Sequence, residues 1–256
     1  MPKLSVTIIT KNEAAAIGDA LASVGWADEI VVVDACSSDE TAAIARRTAA
    51  RVVVREWPGY VEQKNYAASL ASHDWILSLD ADERVTPALQ DQIRRLMAGT
   101  PDAAAYRVAR VSWYLGRWVR TTDWYPDFQT RLYDRRLARW SGQHVHEAIT
   151  ADGRIGQLTG ELQHFPYRDI ADHLATIDRY TTLAARQMYE GGRRAGVFDI
   201  AVHPVLAFLR NYIAKGGVRD GIPGLIISAL NSYYVCLKFA KLWEYGTHAD
   251  TSQLRT

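Results

Sequence analysis

The chain has 256 residues, 48% of them apolar, and 30 Lys and Arg against 29 Asp and Glu give a formal net charge of +1. That content buries one full core, or one domain with a smaller appendage, and excludes a disordered chain. The charge balance offers no electrostatic case for nucleic acid, and two widely separated cysteines, Cys36 and Cys236, exclude a disulfide framework or a cysteine-based zinc site.

Residues 4–10 form a β-branched run that leads directly into Lys11-Asn12-Glu13. Its short apolar stretch and missing small-residue cleavage site predict a first strand, not a signal peptide. Together with the sparse cysteines, this fits a reducing, cytoplasmic setting. A helix is predicted over 14–23, a buried strand over 30–34, a helix over 40–50, a strand over 51–55, a helix over 60–72 and a strand over 75–80. Such βα repeats predict an α/β fold whose central sheet is mostly parallel and flanked by helices. Ser37-Ser38-Asp39-Glu40-Thr41 supplies groups suited to cap the second helix.

From residue 104 the pattern changes. Strands are predicted over 104–113 and 129–140, separated by an irregular aromatic stretch over 114–128, the kind of segment that often carries binding residues. After Pro166 the chain turns helical, with Ile170, Leu174, Ile177, Tyr180 and Ala184 spaced as one apolar stripe. Two apolar segments, 203–215 and 221–237, flank a turn at 216–220. The second falls short of the about 20 residues that span a bilayer. An in-plane helix pair on a membrane surface fits better, with Lys238, Lys241, Trp243 and Tyr245 as headgroup anchors. A buried hairpin or a homo-oligomer interface is the alternative. The expected division is residues 1–166 (a first half over 1–103 and a second over 104–166), then a helical region over 167–256.

The chemistry concentrates in Trp75-Ile-Leu-Ser-Leu-Asp-Ala-Asp-Glu83, a buried strand that ends in Asp80 and Asp82. Buried acids are costly unless a cation compensates them. In open α/β sheets ligands gather at the carboxyl ends of strands, where such a pair can share a divalent metal with a phosphate. Helix capping is the plainer role for a lone strand-end acid.

Three blocks in order are more specific: Thr10-Lys-Asn-Glu13, Val31-Val-Val-Asp34 followed by Ser37-Ser-Asp-Glu-Thr41, and Leu79-Asp-Ala-Asp-Glu83. Together they resemble a family 2 glycosyltransferase of the GT-A nucleotide-diphospho-sugar transferase fold. Further segments, 58–65, 125–133, 145–147 and 233–244, are similar to the bacterial lipopolysaccharide-core β-1,4-glucosyltransferase group. The resemblance implies a UDP-sugar donor, Mn²⁺ or Mg²⁺, and a glycolipid acceptor reached from the inner face of the cytoplasmic membrane. It also implies that Thr10, Asn12, Glu13 and Asp34 shape the nucleoside pocket, that Asp80 lies near the ribose and the metal, and that Asp82 is the direct metal ligand. His146 is a further candidate ligand.

Lys64 and Arg131 are candidate diphosphate contacts, Arg135 and Arg136 extend the basic group, and Trp113, Trp118 and Trp124 are a candidate sugar wall. An inverting transfer needs one base for the acceptor hydroxyl. Asp127 and Glu147 both qualify, Asp127 being favoured, and a salt bridge from Asp127 to Arg131 is its plainer role. ADP-heptose, a polyprenyl-phosphate acceptor and a silent nucleotide-sugar-binding scaffold are the rival readings.

Overall fold

The computed structural model describes residues 1–48, 51–142 and 147–253. β1 (Leu4–Thr10), α1 (Ile17–Ser23), β2 (Glu29–Asp34), α2 (Thr41–Arg46), β3 (Arg51–Val54), α3 (Tyr60–Leu70) and β4 (Trp75–Asp80) alternate as the apolar period predicts. All seven residues of β1 are buried, because the strand is central: β3, β2, β1 and β4 lie side by side in parallel. The predicted second helix is shorter than expected, and Ala49 and Ala50 lie outside the described residues.

β5 (Glu83–Val85) and α4 (Pro87–Ala98) follow, with the Thr86 hydroxyl accepting the Leu89 N–H at the helix start. β6 (Ala105–Tyr114), β7 (Arg117–Val119), β8 (Asp127–Asp134), β9 (Ala138–Ser141), β10 (Ala148–Ala151) and β11 (Ile155–His164) complete the strands. The nine-stranded sheet runs β3-β2-β1-β4-β8-β6-β11-β5, with β7 on β6, while β9 and β10 form a separate pair. β8 is antiparallel to both β4 and β6, so the sheet is mixed beyond its four parallel strands. The single strand expected over 129–140 is two, broken by a turn.

Tertiary contacts divide the chain into two units, Met1–Val111 with Asp127–His164, and Ser112–Pro126 with Phe165–Thr256. The expected boundary near 166 lies beside the return at Phe165, but residues 112–126 belong with the C-terminal helices. In the first unit one core packs Val6, Ile8, Leu77 and Leu79 against Ile17, Leu21, Leu89 and Ile93.

The second unit is built on α5 (Ile170–Glu190), α6 (Val197–Leu209) and α7 (Gly221–Gln253), the last two linked by a π-turn over Arg210–Ala214 and a 3₁₀ turn over Gly217–Asp220. On α5 the buried face is His173, Ile177, Thr181 and Ala185. Ile170 and Leu174 of the expected stripe are each 39% exposed, because α7 packs one helical step around from them. Lys241 does not reach outward as an anchor: its Nζ donates to Asp178 Oδ1 at 2.7 Å and to Thr182 Oγ1 at 2.7 Å on α5. α7 has 33 residues and continues past the expected end at 237. Val197–Ala214 and Gly217–Thr247 are both long and apolar enough to cross a membrane by length and composition, with only 11% and 22% of their most apolar stretches buried.

Gly160 on β11 faces the start of α4, where an added Cβ would stand 2.6 Å from Leu89 Cα and 2.7 Å from its backbone nitrogen. Backbone cannot yield as a side-chain tip can. Gly160→Ala is expected to lower stability by about 1–3 kcal/mol, read as a lower urea midpoint with an unchanged slope.

Candidate active site

Parallel pairing brings the motif residues to one edge. Thr10 pairs with Asp34 and Ile9 with Asp80, so the carboxyl ends of β1, β2 and β4 finish level. Asp34 is buried and accepts the Ser37 N–H at 2.9 Å and the Ser37 hydroxyl at 2.5 Å. Asn12 has a left-handed φ of 55°, and its Oδ1 accepts the Ser38 N–H at 2.8 Å. The Glu13 N–H donates to Thr41 Oγ1 at 2.8 Å. The loop expected to cap α2 thus ties the β1 and β2 loops together. Thr10 Oγ1 and both polar atoms of Gln63 are buried and hold no hydrogen bond among the described residues, which leaves polar groups near this edge available to a ligand.

Beside it runs a chain of alternating charge. Glu83 is fully buried; its Oε1 accepts from Arg131 Nη2 at 2.5 Å and from Arg110 Nη1 at 3.1 Å. Arg131 Nη2 also donates to Asp80 Oδ2 at 2.7 Å, and Lys64 Nζ lies 3.1 Å from Asp80 Oδ1. Both Asp80 oxygens are therefore paired within the protein. Lys64 is 3% exposed, 3.4 Å from Glu147 Oε1 and 4.2 Å from the Trp140 ring centre, so it is not an ordinary surface lysine. At the far end Arg110 holds Asp127 Oδ2 through Nη2 at 2.7 Å and Nε at 2.8 Å, while Gln129 donates to Oδ1 at 2.7 Å. The partner of Asp127 is thus Arg110, opposite it in the β6–β8 register, and not Arg131.

Burial opposes ionisation of Asp80, yet the charges of Arg131, Lys64 and Arg110 outweigh it and hold the carboxyl well below its usual range. Burial likewise opposes the charge on Arg131, and Asp80 and Glu83 more than restore it.

Asp82 points elsewhere. Its Oδ2 lies 3.2 Å from His164 Nε2, at the end of β11. Sequence reading missed His164. The alternation over 155–164 could have found its strand, but two of the four inward residues are Gly156 and Gly160, which blunt the apolar signal. His146 lies outside the described residues, and among those described no group of three or more His, Cys, Asp or Glu side chains assembles.

Arg135 and Arg136 do not join Arg131. β8 runs antiparallel to β4 and carries them to the other end of the sheet, where Arg135 donates to the Ala68 and Ala71 carbonyls and Arg136 to Asp134. The aromatic wall also divides: Trp113 packs edge-on to Trp118, whereas Trp124 joins Tyr114, Tyr167 and His173. A cleft of about 790 Å³, lined by Ser72, Asp102, Asp134 and Arg154, opens at the amino end of β4, away from the acids.

The profile of the family described as "Glycosyl transferase family 2" matches residues 5–151. The chain belongs to this family. Among curated relatives, the lipopolysaccharide core biosynthesis glycosyltransferase LpsC of Rhizobium meliloti is 32% identical over 95% of this chain and 94% of its own length. An uncharacterized glycosyltransferase of Rickettsia felis is 31% identical over 95% and 90%. The mannosyltransferase PcManGT of Pyrobaculum calidifontis, solved with GDP-Man and Mn²⁺, shares the fold of this family 2 transferase with a TM-score of 0.55 at 15% identity, over 94% of this chain and 87% of that one.

Because the folded Asp80 has a lowered pKa, its pairing stabilises the fold above the unfolded value near 4 and is lost as pH falls below it. Asp80→Asn leaves Lys64 and Arg131 under-compensated, a loss of about 3–5 kcal/mol at neutral pH. The stability gap between parent and variant, from urea midpoints, is expected to narrow from pH 4 downward.

Proposed function

We propose that this glycosyltransferase is metal-dependent and inverting, and that it moves a hexose, glucose from UDP-glucose, onto the core saccharide of an envelope glycolipid. The observation that carries this reading is the level edge of Thr10, Asp34 and Asp80, with Asp82 and His164 beside it. The similarity to LpsC along nearly the whole chain supports the acceptor class.

The donor set suits a divalent cation. Asp82 and His164 offer one carboxylate and one imidazole, and Mn²⁺ or Mg²⁺ bound with a nucleotide takes few protein ligands because phosphate oxygens complete the shell. When bound, the ion would offset charge that develops on the departing diphosphate. Asp34, Thr10, Asn12 and Glu13 border the nucleoside. Asp80 is bound by Lys64 and Arg131, so its part is to hold those two cations toward the phosphates. Asp127 takes the proton of the acceptor hydroxyl while the sugar carbon is attacked from the face opposite the leaving group. It opens β8 at the same end of the sheet where β4 finishes. Glu147 is the second candidate, favoured by one observation: among the described residues its carboxylate has a single contact, 3.4 Å from Lys64, whereas both oxygens of Asp127 accept hydrogen bonds.

Two measurements test this. Asp82→Ala and His164→Ala are each expected to remove manganese-dependent UDP release in the presence of acceptor, with far-UV circular dichroism unchanged. Full turnover by either variant defeats that ligand assignment, and faster release from ADP-heptose or GDP-mannose defeats the donor. Asp127→Asn is expected to lower kcat by about 10²-fold or more with little change in KM for the donor. Should Glu147→Gln alone show that loss, the base is Glu147.

The same proposal places the protein at the inner face of the cytoplasmic membrane. Val205, Leu206, Ile213, Val218 and Ile222 are exposed along α6, its turn and the start of α7, with Arg210, Lys215 and Arg219 among them. Apolar groups beside cations suit an anionic headgroup layer. Co-sedimentation with vesicles containing phosphatidylglycerol is expected to fall when Leu206 and Ile222 are both changed to Ser, and to exceed that with neutral vesicles.

A further inference from the structure

In the second unit a cavity of about 320 Å³ opens between α5 and α7. His173, Thr176, Ile177 and Tyr180 line it from α5. Ile227, Leu230, Asn231 and Tyr234 line it from α7, and Trp124 and Tyr167 close it. The α7 residues recur at i, i+3, i+4 and i+7, the spacing of a packing stripe, and the third is an asparagine. A polar amide in such a seam is costly unless it finds a partner. The side chains of Thr176, Tyr180, Asn231 and Tyr234 make no hydrogen bond to the described residues, although each borders the cavity.

The walls carry no charge near neutral pH. Burial pushes the His173 imidazole down to about 4, and its Nδ1 lies 2.9 Å from the Tyr114 hydroxyl, itself pushed up to about 12 mainly by burial. His173 stacks on Tyr167 with centroids 4.1 Å apart, which fixes a flat aromatic wall. An occupant therefore needs an apolar face for the rings and several neutral hydrogen-bonding groups for the amide and hydroxyls. A phosphate or carboxylate would find no charged side chain in the lining itself, the nearby Arg179 and Lys238 being stacked on the rings of Tyr180 and Tyr234 at 5.3 Å and 5.7 Å from their centres. An alkyl chain would leave the amide and three hydroxyls unsatisfied. A sugar ring has both faces required: C–H groups on one side and hydroxyls around the rim.

We propose that this cavity is a saccharide subsite holding one uncharged ring of the acceptor glycan. The assignment rests on the glycan-acceptor reading above and adds to it which part of the chain grips the sugar and what charge that sugar carries.

The full-length protein is titrated with methyl β-D-glucopyranoside and cellobiose, with glucose 6-phosphate and with sodium decanoate, and followed by saturation-transfer NMR and tryptophan fluorescence. Saturable binding of the neutral sugars is expected, with glucose 6-phosphate about tenfold weaker. Asn231→Ala should weaken sugar binding by about fivefold to tenfold, as the loss of one or two hydrogen bonds predicts. Tyr180→Phe, which keeps the packing and deletes one hydroxyl, should weaken it by a smaller factor. Trp124→Phe should remove the fluorescence change while NMR transfer persists. No saturable sugar signal, equal binding by Asn231→Ala and Tyr180→Phe, or preference for decanoate overturns the subsite. Manganese–UDP binding by the parent, titrated alongside, separates the two readings: sugar binding lost with UDP binding intact defeats the subsite alone, and loss of both defeats the donor reading as well.

Discussion

The arrangement depends on one buried carboxylate. Glu83 has no exposed surface, a buried carboxylate is costly unless paired, and two guanidiniums, Arg131 and Arg110, are fixed against it. From Arg131 the charges continue through Asp80 and Lys64 to Glu147; from Arg110 they pass to Asp127. The two candidate bases are thus the ends of one chain. Its members come from α3, β4, β5, β6, β8 and the segment before β10, so packing of the whole first unit sets where each charge stands. Fixed dipoles and charges need no reorganisation as reaction charge develops, which is the main advantage of a folded site over water.

The sheet divides this labour by strand direction. The parallel strands bring backbone ends and short polar side chains to one edge, where the β1 and β2 loops are stitched by Asn12, Ser37, Ser38 and Thr41. β8 runs the other way and presents its first residue at that edge, whereas β11 ends there with its last, His164, beside Asp82. Asp127 reaches the edge because β8 starts there, and Arg135 and Arg136, past the end of β8, fall at the opposite side. Strand polarity, more than proximity along the chain, decides which residues of a motif act together.

This explains what the sequence disclosed and what it hid. β1 and β4 were legible because β-branched runs and strand-end acids are local signals. The role of Lys64 was half legible: its charge and its place on α3 were visible, but its burial depends on Trp140 and Glu147, more than seventy residues away. The Arg110–Asp127 pair needed the β6–β8 register, which no local pattern specifies. Glu83 stood in the quoted motif without a role, since nothing nearby shows that two distant arginines will enclose it. On α5 the apolar spacing suggested a stripe through Ile170 and Leu174, whereas the seam formed around His173 and Thr181, whose buried hydroxyl returns to the Ile177 carbonyl at 2.8 Å. A polar residue that satisfies itself within its own helix can occupy a core face, and hydropathy alone does not register it.

The charge count at the edge bears on how the reactants gather. Asp34, Asp80, Asp82, Glu83, Asp127 and Glu147 outnumber Lys64, Arg110 and Arg131, so the acids exceed the basic side chains by three, leaving aside His164. A bare diphosphate approaching this edge meets that excess, and the arginines and lysine are already committed to the acids. A divalent cation would offset most of that excess, and a nucleotide diphosphate brings the oxygens that a cation held by Asp82 and His164 would still require. In the proposed reaction each would therefore favour the other's binding, a coupling that must be reciprocal. In the proposed reaction the protein's own cations hold the acids in place and face the phosphates, and the ion would supply the positive charge they leave wanting.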